Sequence, residues 1–566
     1  MGQGIGQILV YAAVLLALSY PLGMWMAHVY TRERGDVVER GFLRLLGRDA
    51  LEDQNWKQYG LSVIVFTIAF SVFLYGLLRL QGHLFLNPDH LPAVPWTVAL
   101  NTTASFVTNT NWQYYAGEAT MSYLSQMAGL AVQQFVSAGV GLAVVAAVIR
   151  GIAKRGGGVG LSNGLGNFWR DLYRSIVYIL LPLALVLAVI LISQGVPQTF
   201  HGHATATTLQ GAHQTIARGP VGSMIAIKQL GTNGGGFYDS NSAVPFENPT
   251  PLSNFFEMLA ILLIPFAQVV MFGRMVLARR HAWVLYAVCF TIFALGVSVA
   301  FPAEQHGSAV LRNSGVNITH SASQVGGNMT DKETRFGIAN TALWATATTD
   351  VSNGSVNGGH DAFTPAGGAV PLINIFLGEV EPGGVGSGLY GLIFYVLIAV
   401  FVAGLMVGRT PEWLGKKIEA REMKLAALGA LAVPTMVLVM TAAAIVTPAG
   451  LASVFNPGAH GFTETLYAYA SQSNNNGSAF AGYGATDFST TLGTVALYFG
   501  RFFPLLAGLA IGGSLAVKKV VPASAGTFRT DGGTFGIMLL GVIALTAGLM
   551  ILPALTLGPI VEGLMH

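Results

Sequence analysis

The sequence predicts an all-α multi-pass membrane protein of ten transmembrane helices, built from four pseudo-symmetric membrane–pore–membrane repeats. Three observations carry that expectation. The 566-residue chain is 52% hydrophobic and only 10% charged, against about 25% charged in an average soluble domain. Four polar segments interrupt its apolar stretches: Thr108-Asn109-Thr110-Asn111, Thr232-Asn233-Gly234-Gly235, Ser352-Asn353-Gly354-Ser355 and Asn475-Asn476-Gly477-Ser478. Their second positions stand 124, 120 and 123 residues apart, and a fixed period reports architecture before any single residue does. Finally, 22 of the 29 Lys and Arg residues fall in five stretches, 32–57, 150–174, 274–280, 409–424 and 518–529. With ten crossings all five lie on one side of the bilayer, which marks that side as cytoplasmic.

The spans expected in chain order are Ile5–Tyr30, Gly60–Leu80, Ser122–Val148, Leu172–Ser193, Phe255–Leu277, Trp283–Pro302, Pro371–Val407, Leu425–Val446, Leu492–Val517 and Phe535–Leu555. Each is long enough to cross about 30 Å of hydrocarbon. The seventh is unusually long and interrupted. Both termini and all four Asn-containing loops then face outward. The first helix lacks a basic leader and a cleavage site after its apolar run, so it is expected to be retained. Cys289 is the only cysteine and lies in a span, which excludes a disulfide framework or a multi-thiolate metal site within the chain. The net charge of +3 is an ordinary membrane bias and gives no reason to invoke nucleic acid.

Within each repeat a short helix and an extended polar segment are expected between the two spans. The pairs are Pro95–Val107 with Thr108–Tyr114, Val221–Leu230 with Gly231–Gly236, Glu333–Thr346 with Thr348–Val356, and Phe462–Ala470 with Ser471–Ala479. Non-helical backbone at membrane depth is tolerated only where it is buried in protein or lines water. Glycine lets such backbone turn its carbonyls in ways a Cβ forbids. A ring of carbonyls from several loops can replace the hydration shell of a cation, and helix C-termini pointing at it add partial negative charge. One such loop alone would read as a surface turn, since Asn-Gly is a common turn dipeptide. Four at near-equal spacing imply an ion pathway. The first loop carries Thr110 where the others are aligned with Gly, so the fourfold symmetry is expected to be imperfect.

Several longer motifs now stand out: Thr108-Asn-Thr-Asn-Trp-Gln-Tyr-Tyr115, Leu230-Gly-Thr-Asn-Gly-Gly-Gly-Phe237, Phe246-Glu-Asn-Pro249, Gly378-Glu-Val380, Gly383-Gly-Val-Gly-Ser-Gly-Leu-Tyr-Gly391, Gly408-Arg-Thr-Pro-Glu-Trp-Leu-Gly-Lys-Lys417 and Asn474-Asn-Asn-Gly-Ser-Ala-Phe480. Along essentially its whole length the chain resembles the KdpA family, the channel-like potassium-binding subunits of bacterial Kdp potassium-transporting P-type ATPases, in the Trk/Ktr-like superfamily of potassium transporters. The resemblance implies four repeats with an extra helix at each end. The division it suggests is 1–57 for the first helix and a cytoplasmic loop, repeats at 58–150, 151–280, 281–408 and 409–518, and 519–566 for the last helix, all in one membrane domain. It implies K+ as the transported ion, no organic cofactor, and residence in the bacterial inner membrane. The implied partners are a P-type ATPase subunit (KdpB-like), an accessory subunit (KdpC-like), a small single-helix subunit (KdpF-like) and membrane lipids. Potassium would enter a four-loop selectivity filter and pass through an intramembrane tunnel to the ATPase subunit.

Carried over by motif, the filter residues are Asn109, Thr110, Asn111 and Gln113; Thr232, Asn233 and Gly234; Ser352, Asn353 and Gly354; and Asn475, Asn476 and Gly477. Backbone carbonyls are expected to contact K+, with the Asn side chains as supports. Gly383, Gly384, Gly386 and Gly388, with Gly391, should break the seventh span, each glycine costing about 1 kcal/mol relative to Ala. A broken helix below a filter suits a gate; close helix packing through small residues is the alternative. Arg409 anchors that gate or simply marks the cytoplasmic side. Arg501 stands in mid-span, where an Arg costs at least about 2.5 kcal/mol unless it faces protein or water, and is expected to line a cavity. Lys228 either serves the gate and cavity or pairs with a carboxylate such as Glu257 or Asp239. His201, His203 and His213 read as solvated loop residues, and Asn317–Thr319 and Asn328–Thr330 need not be glycosylated.

Neither a Gly-x-x-x-x-Gly-Lys-[Ser/Thr] loop nor an Asp-Lys-Thr-Gly-Thr phosphorylation motif occurs, and the Gly-rich stretch 156–166 lacks the Lys. The chain is therefore expected not to hydrolyse ATP on its own. A stand-alone Trk/Ktr-type transporter and a non-transporting membrane scaffold are the alternatives. Only the first of these also uses the four loops.

Overall fold

The computed structural model describes residues 2–33, 35–47, 50, 52–154, 164–322, 324–380, 382–406, 408, 410–522 and 527–565. Arg409 and most of the Gly-rich stretch 156–166 lie outside the described residues. Ten described helices are long and apolar enough to cross a membrane. In chain order, with the shorter helices between them, the body consists of α1 (Gly2–Thr31), α2 (Trp56–His83), α3 (Trp96–Val107), α4 (Ser125–Ala153), α5 (Phe168–Ser193), α6 (Val221–Leu230), α7 (Pro251–Met275), α8 (Arg279–His306), α9 (Gly337–Asp350), α10 (Pro365–Phe376), α11 (Ser387–Met406), α12 (Ala420–Ile445), α13 (Gly458–Asn474), α14 (Asp487–Ala516), α15 (Gly533–Leu555) and α16 (Val561–Met565). A long helix, a short helix, a loop and a second long helix recur in α2–α4, α5–α7 and α12–α14, and in α8–α11 the second helix is broken in two.

Local chemistry repeats with the topology. The helix after each loop starts on a hydroxyl cap: Ser125 N donates to Ser122 Oγ, Ser253 N to Thr250 Oγ1, Gly367 N to Thr364 Oγ1 and Ser489 N to Thr486 Oγ1. Such caps satisfy otherwise orphaned N–H groups and set where a helix begins. α4, α7 and α11 are mostly buried, whereas α1, α2 and α15 keep most of their surface exposed. Exposed Leu9, Val72 and Leu549 on those outer helices suit a lipid environment.

The seventh span is two helices, α10 and α11, joined by residues 377–386. The break begins earlier than the glycines alone suggest, at Gly378 (φ +77°) and Glu379 (φ +51°), while Gly388 and Gly391 are already inside α11. Two short helices also run further than the sequence indicated. α9 ends at Asp350 rather than Thr346, and α13 continues to Asn474, so Ser471–Asn474 are helical. Threonine and serine side chains bonding back to the preceding turn, as Thr349 does to Ala345 O (2.7 Å), accommodate these polar tails in helix. At one end of the bundle the basic stretches join. Leu165 N donates to Gln54 O (2.7 Å), Lys416 Nζ to Gly151 O (3.1 Å) and Leu515 O (2.7 Å), and Trp413 Nε1 contacts His281 Nε2 (3.1 Å).

Candidate selectivity filter

Each of the four loops leaves the C-terminus of its short helix through the same backbone hydrogen bond, made back to the fifth preceding residue. Thr110 N donates to Ser105 O (2.9 Å), Asn233 N to Lys228 O (3.0 Å), Asn353 N to Thr348 O (3.3 Å) and Asn476 N to Ser471 O (2.8 Å). The residue after each of these is left-handed: Asn111 (φ +58°), Gly234 (+83°), Gly354 (+76°) and Gly477 (+93°). The residue before is left-handed in three loops, Asn109 (+68°), Thr232 (+47°) and Asn475 (+61°), but not at Ser352. Alternating left- and right-handed residues turn successive N–H groups to one side and their carbonyls to the other, the arrangement a cation filter needs.

These bonds correct the register of the first loop. Matching Asn109 to Asn233, Asn353 and Asn476 is off by one; Thr110 occupies that position, and Asn111, not Thr110, stands where the others have Gly. Asparagine tolerates the left-handed region through its short polar side chain, so it substitutes for glycine there. Its buried amide has no hydrogen-bond partner at either end among the described residues.

The loops close on one another in sequence order. Asn109 Nδ2 donates to Gly231 O (3.1 Å) and Thr232 O (3.0 Å), joining the first loop to the second. Asn353 Nδ2 reaches Lys228 O (3.3 Å), and Asn476 Nδ2 reaches Thr348 O (3.0 Å) and Val351 O (3.1 Å). Asn475 Nδ2 donates to Thr110 Oγ1 (2.9 Å), returning from the fourth loop to the first. The Asn233 amide lies against Asn109 and Ser137. Glycine is required at three of these junctions, because a Cβ on Gly234 would overlap the Asn353 carbonyl oxygen, one on Gly354 the Asn476 oxygen, and one on Gly477 the Thr110 oxygen. Gln113 adds a two-way clamp: its Nε2 donates to Gly236 O (3.0 Å) and its Oε1 accepts from Gly236 N (2.9 Å). Beside the third loop, His360 Nδ1 is 2.8 Å from Tyr467 Oη, which is 2.8 Å from Ser478 Oγ of the fourth. Burial, with Lys332 adding a smaller push, lowers the His360 pKa to about 3.

The family described as potassium-transporting ATPase A subunit matches residues 9–564. The chain belongs to this family. A relative from Herpetosiphon aurantiacus, a potassium-transporting ATPase potassium-binding subunit, is 54% identical over 100% of this chain and 99% of its own. One of the same description from Sorangium cellulosum is 54% identical, covering 99% of each chain. The solved potassium transporter TrkH from Vibrio parahaemolyticus is similar with a TM-score of 0.49 and 14% identity, over 86% of this chain and 97% of that one.

In this member of the A-subunit family the glycine-rich segment is tied to the loops. Val385 N donates to Thr232 Oγ1 (2.8 Å), and Gly383 N to Asp350 O (3.1 Å). Gln268 of α7 holds it from behind, giving Nε2 to Gly384 O (3.2 Å) and accepting from Gly386 N (2.9 Å). Glu379, buried in the same break, accepts from the Ser352 hydroxyl. Sequence reasoning passed over Gln268 and Glu379 as site residues, although a polar or charged side chain in an apolar span was signal enough. Ser352, Glu379, Tyr390 and Asn475 line a cavity of about 60 Å³. Arg501 is buried on α14, its Nη2 3.4 Å from Ser137 O on α4, and among the described residues no carboxylate pairs with it.

Lys228 is not grouped with the break. Its ammonium is fully buried against Asn241 Oδ1 (2.7 Å), Ser242 Oγ (2.6 Å) and Glu247 Oε2 (2.5 Å). The paired carboxylate is thus Glu247 of the Phe246–Pro249 motif, rather than Glu257 or Asp239. Glu257 instead accepts from Gln229 Nε2 (2.8 Å) and Ser242 Oγ (2.7 Å). Ten residues separate Glu247 from the loop, but the turn at Asn241–Ala243 folds it back so that its Oε1 also accepts from Phe237 N (2.6 Å) and Tyr238 N (2.8 Å). His203 of the His201–His213 region meets Asp89 (3.4 Å), and none of its three histidines joins a metal-ligand cluster among the described residues.

Proposed function

We propose that the four loops form a potassium selectivity filter, and that the chain passes K+ from this filter to a P-type ATPase subunit for ATP-driven import. The closed ring of loops carries the reading. Its alternating backbone handedness, complete in three of the four loops, points carbonyls to one side, and the amides of Asn109, Asn353, Asn475 and Asn476 are spent on holding neighbouring loops. Carbonyls of Asn109, Thr110 and Asn111, Thr232, Asn233 and Gly234, Ser352, Asn353 and Gly354, and Asn475, Asn476 and Gly477 would surround the ion, with Gln113 setting the spacing of the first two loops. The broken helix at Gly378–Gly386 would block direct passage below, and Arg501, with no carboxylate pairing with it among the described residues, would repel a cation moving straight on, favouring a lateral tunnel to the partner. The division into repeats at 58–150, 151–280, 281–408 and 409–518 with one further helix at each end belongs to the same proposal. So do the inner-membrane location with both termini outside and the KdpB-, KdpC- and KdpF-like partners.

The deciding experiment is K+-stimulated ATP hydrolysis by the complex purified from its native membrane, for the wild type and Gly477→Ala. A co-purifying phosphorylatable subunit and a rise of at least about tenfold in the K+ concentration for half-maximal activity, equal to about 1.4 kcal/mol, are expected. Wild-type affinity in Gly477→Ala would refute the filter. Potassium flux in liposomes without any ATPase would favour the stand-alone transporter.

A further inference from the structure

On the face that carries the filter loops, one imidazole is surrounded by three carboxylates from separate parts of the chain. His460 lies in the first turn of α13, Asp361 in the short turn before α10, and Glu562 in α16. Glu464 follows His460 by one helical turn on the same face of α13 and is fully buried. His460 Nδ1 is 2.9 Å from Glu562 Oε1 and its Nε2 is 3.0 Å from Asp361 Oδ1. One ligand atom from each of Asp361, His460 and Glu464 lies within 4.8 Å of the other two. Glu464 is oriented by Phe455 N and Asn456 N (3.2 Å each) and Asn456 Nδ2 (2.5 Å). Even with a protonated imidazole, three carboxylates leave this cluster at a net charge of −2. Among the described residues no Lys or Arg forms an ion pair with any of them.

We propose that Asp361, His460 and Glu464 bind a divalent transition-metal cation of the Zn2+ type, which ties the turn before α10 to the first turns of α13. Tetrahedral Zn2+ with ligands at about 2.0–2.2 Å places neighbouring ligand atoms about 3.4 Å apart. The His460–Asp361 pair, at 3.0 Å, opens by about 0.4 Å, and Glu464, within 4.8 Å, closes by up to about 1.4 Å. The metal replaces the Nε2 proton, which leaves to solvent. Nδ1–H then donates to Glu562, the carboxylate–histidine–metal relay that fixes ring orientation and raises ligand basicity. Asp361, His460 and Glu562 also line a cavity of about 460 Å³, which supplies an entry path and room for a water in the fourth position. Arg312 is the one Lys or Arg on that lining. The inference does not depend on the filter.

The test uses the whole purified complex, stripped with chelator and titrated with Co2+ and then Zn2+. One equivalent of Co2+ per chain should give the visible bands of a tetrahedral nitrogen–oxygen site, bleached by Zn2+ and absent in His460→Ala. Glu562→Gln should keep the bands and weaken Zn2+ binding about 10- to 100-fold. Should His460→Ala fail to assemble, Asp361→Asn in its surface turn makes the same comparison. No bands at sub-millimolar Co2+, or bands that survive unchanged in these ligand variants, overturn the proposal.

Discussion

Asn111 holds the backbone angle that glycine holds at Gly234, Gly354 and Gly477, yet it keeps a buried side chain with no hydrogen-bond partner among the described residues. The left-handed region costs an ordinary L-residue about 1–2 kcal/mol, and asparagine largely escapes that cost. Asn111→Ala should therefore lower stability by about 1 kcal/mol whereas Asn111→Gly should not, as read by thermal unfolding of the purified complex. His360 supplies a pH prediction. The unfolded chain takes up a proton on this residue near pH 6.5, whereas the folded protein resists it until about pH 3. Its contribution is thus fully present above pH 6.5 and lost as pH falls from there toward 3. The melting temperature should drop across that window, and less steeply in His360→Asn.

Among the elements, the break between α10 and α11 owes its shape to a helix that is not its neighbour in sequence. Gln268 satisfies Gly384 O and Gly386 N in a place water does not reach. Gln268→Leu takes the acceptor from Gly386 N, at about 1–3 kcal/mol, and leaves Gly384 O only its bond from Gly388 N (3.2 Å). Amide hydrogens of 383–388 should then exchange faster than in the wild type while those of α7 itself change little; unchanged protection of 383–388 would dissociate Gln268 from the break. Why α9 and α13 end later than composition suggests is also an element-scale matter. Thr, Ser and Asn are neutral or poor in helix interiors, but here they are buried, and Thr349 and Asn474 donate to carbonyls of the preceding turn, Ala345 O and Ala470 O.

For the whole molecule, the basic stretches gather at one end and the β-hairpin of Ala204–Thr207 and His213–Ile216 lies in the loop between α5 and α6, away from them in sequence. The orientation proposed above predicts opposite accessibilities for the two. In a Cys289→Ala background, which removes the only native thiol, Leu209→Cys should react with a membrane-impermeant maleimide on intact cells and Lys519→Cys should not. The reverse pattern would invert the topology.

Hydrophobic length and charge asymmetry are properties of the chain read in order, so the ten spans, the side shared by the basic loops and the places of the four polar segments were determined by the sequence alone. The helices Trp96–Val107 and Val221–Leu230 were equally legible, since apolar residues meet a polar loop abruptly there. Register was not, because Asn109 and Asn111 flank Thr110 and either can be matched to another loop's asparagine; the backbone bond from Thr110 to Ser105 and the contact of the Thr110 carbonyl with Gly477 distinguish them. Nor could the sequence pair Lys228 with Glu247 over Glu257 or Asp239, or bring Gln268, Glu379 and Ser352 around one break. Those choices depend on how a turn folds back and which helix faces which, and buried polar groups accept whichever partner the packing delivers.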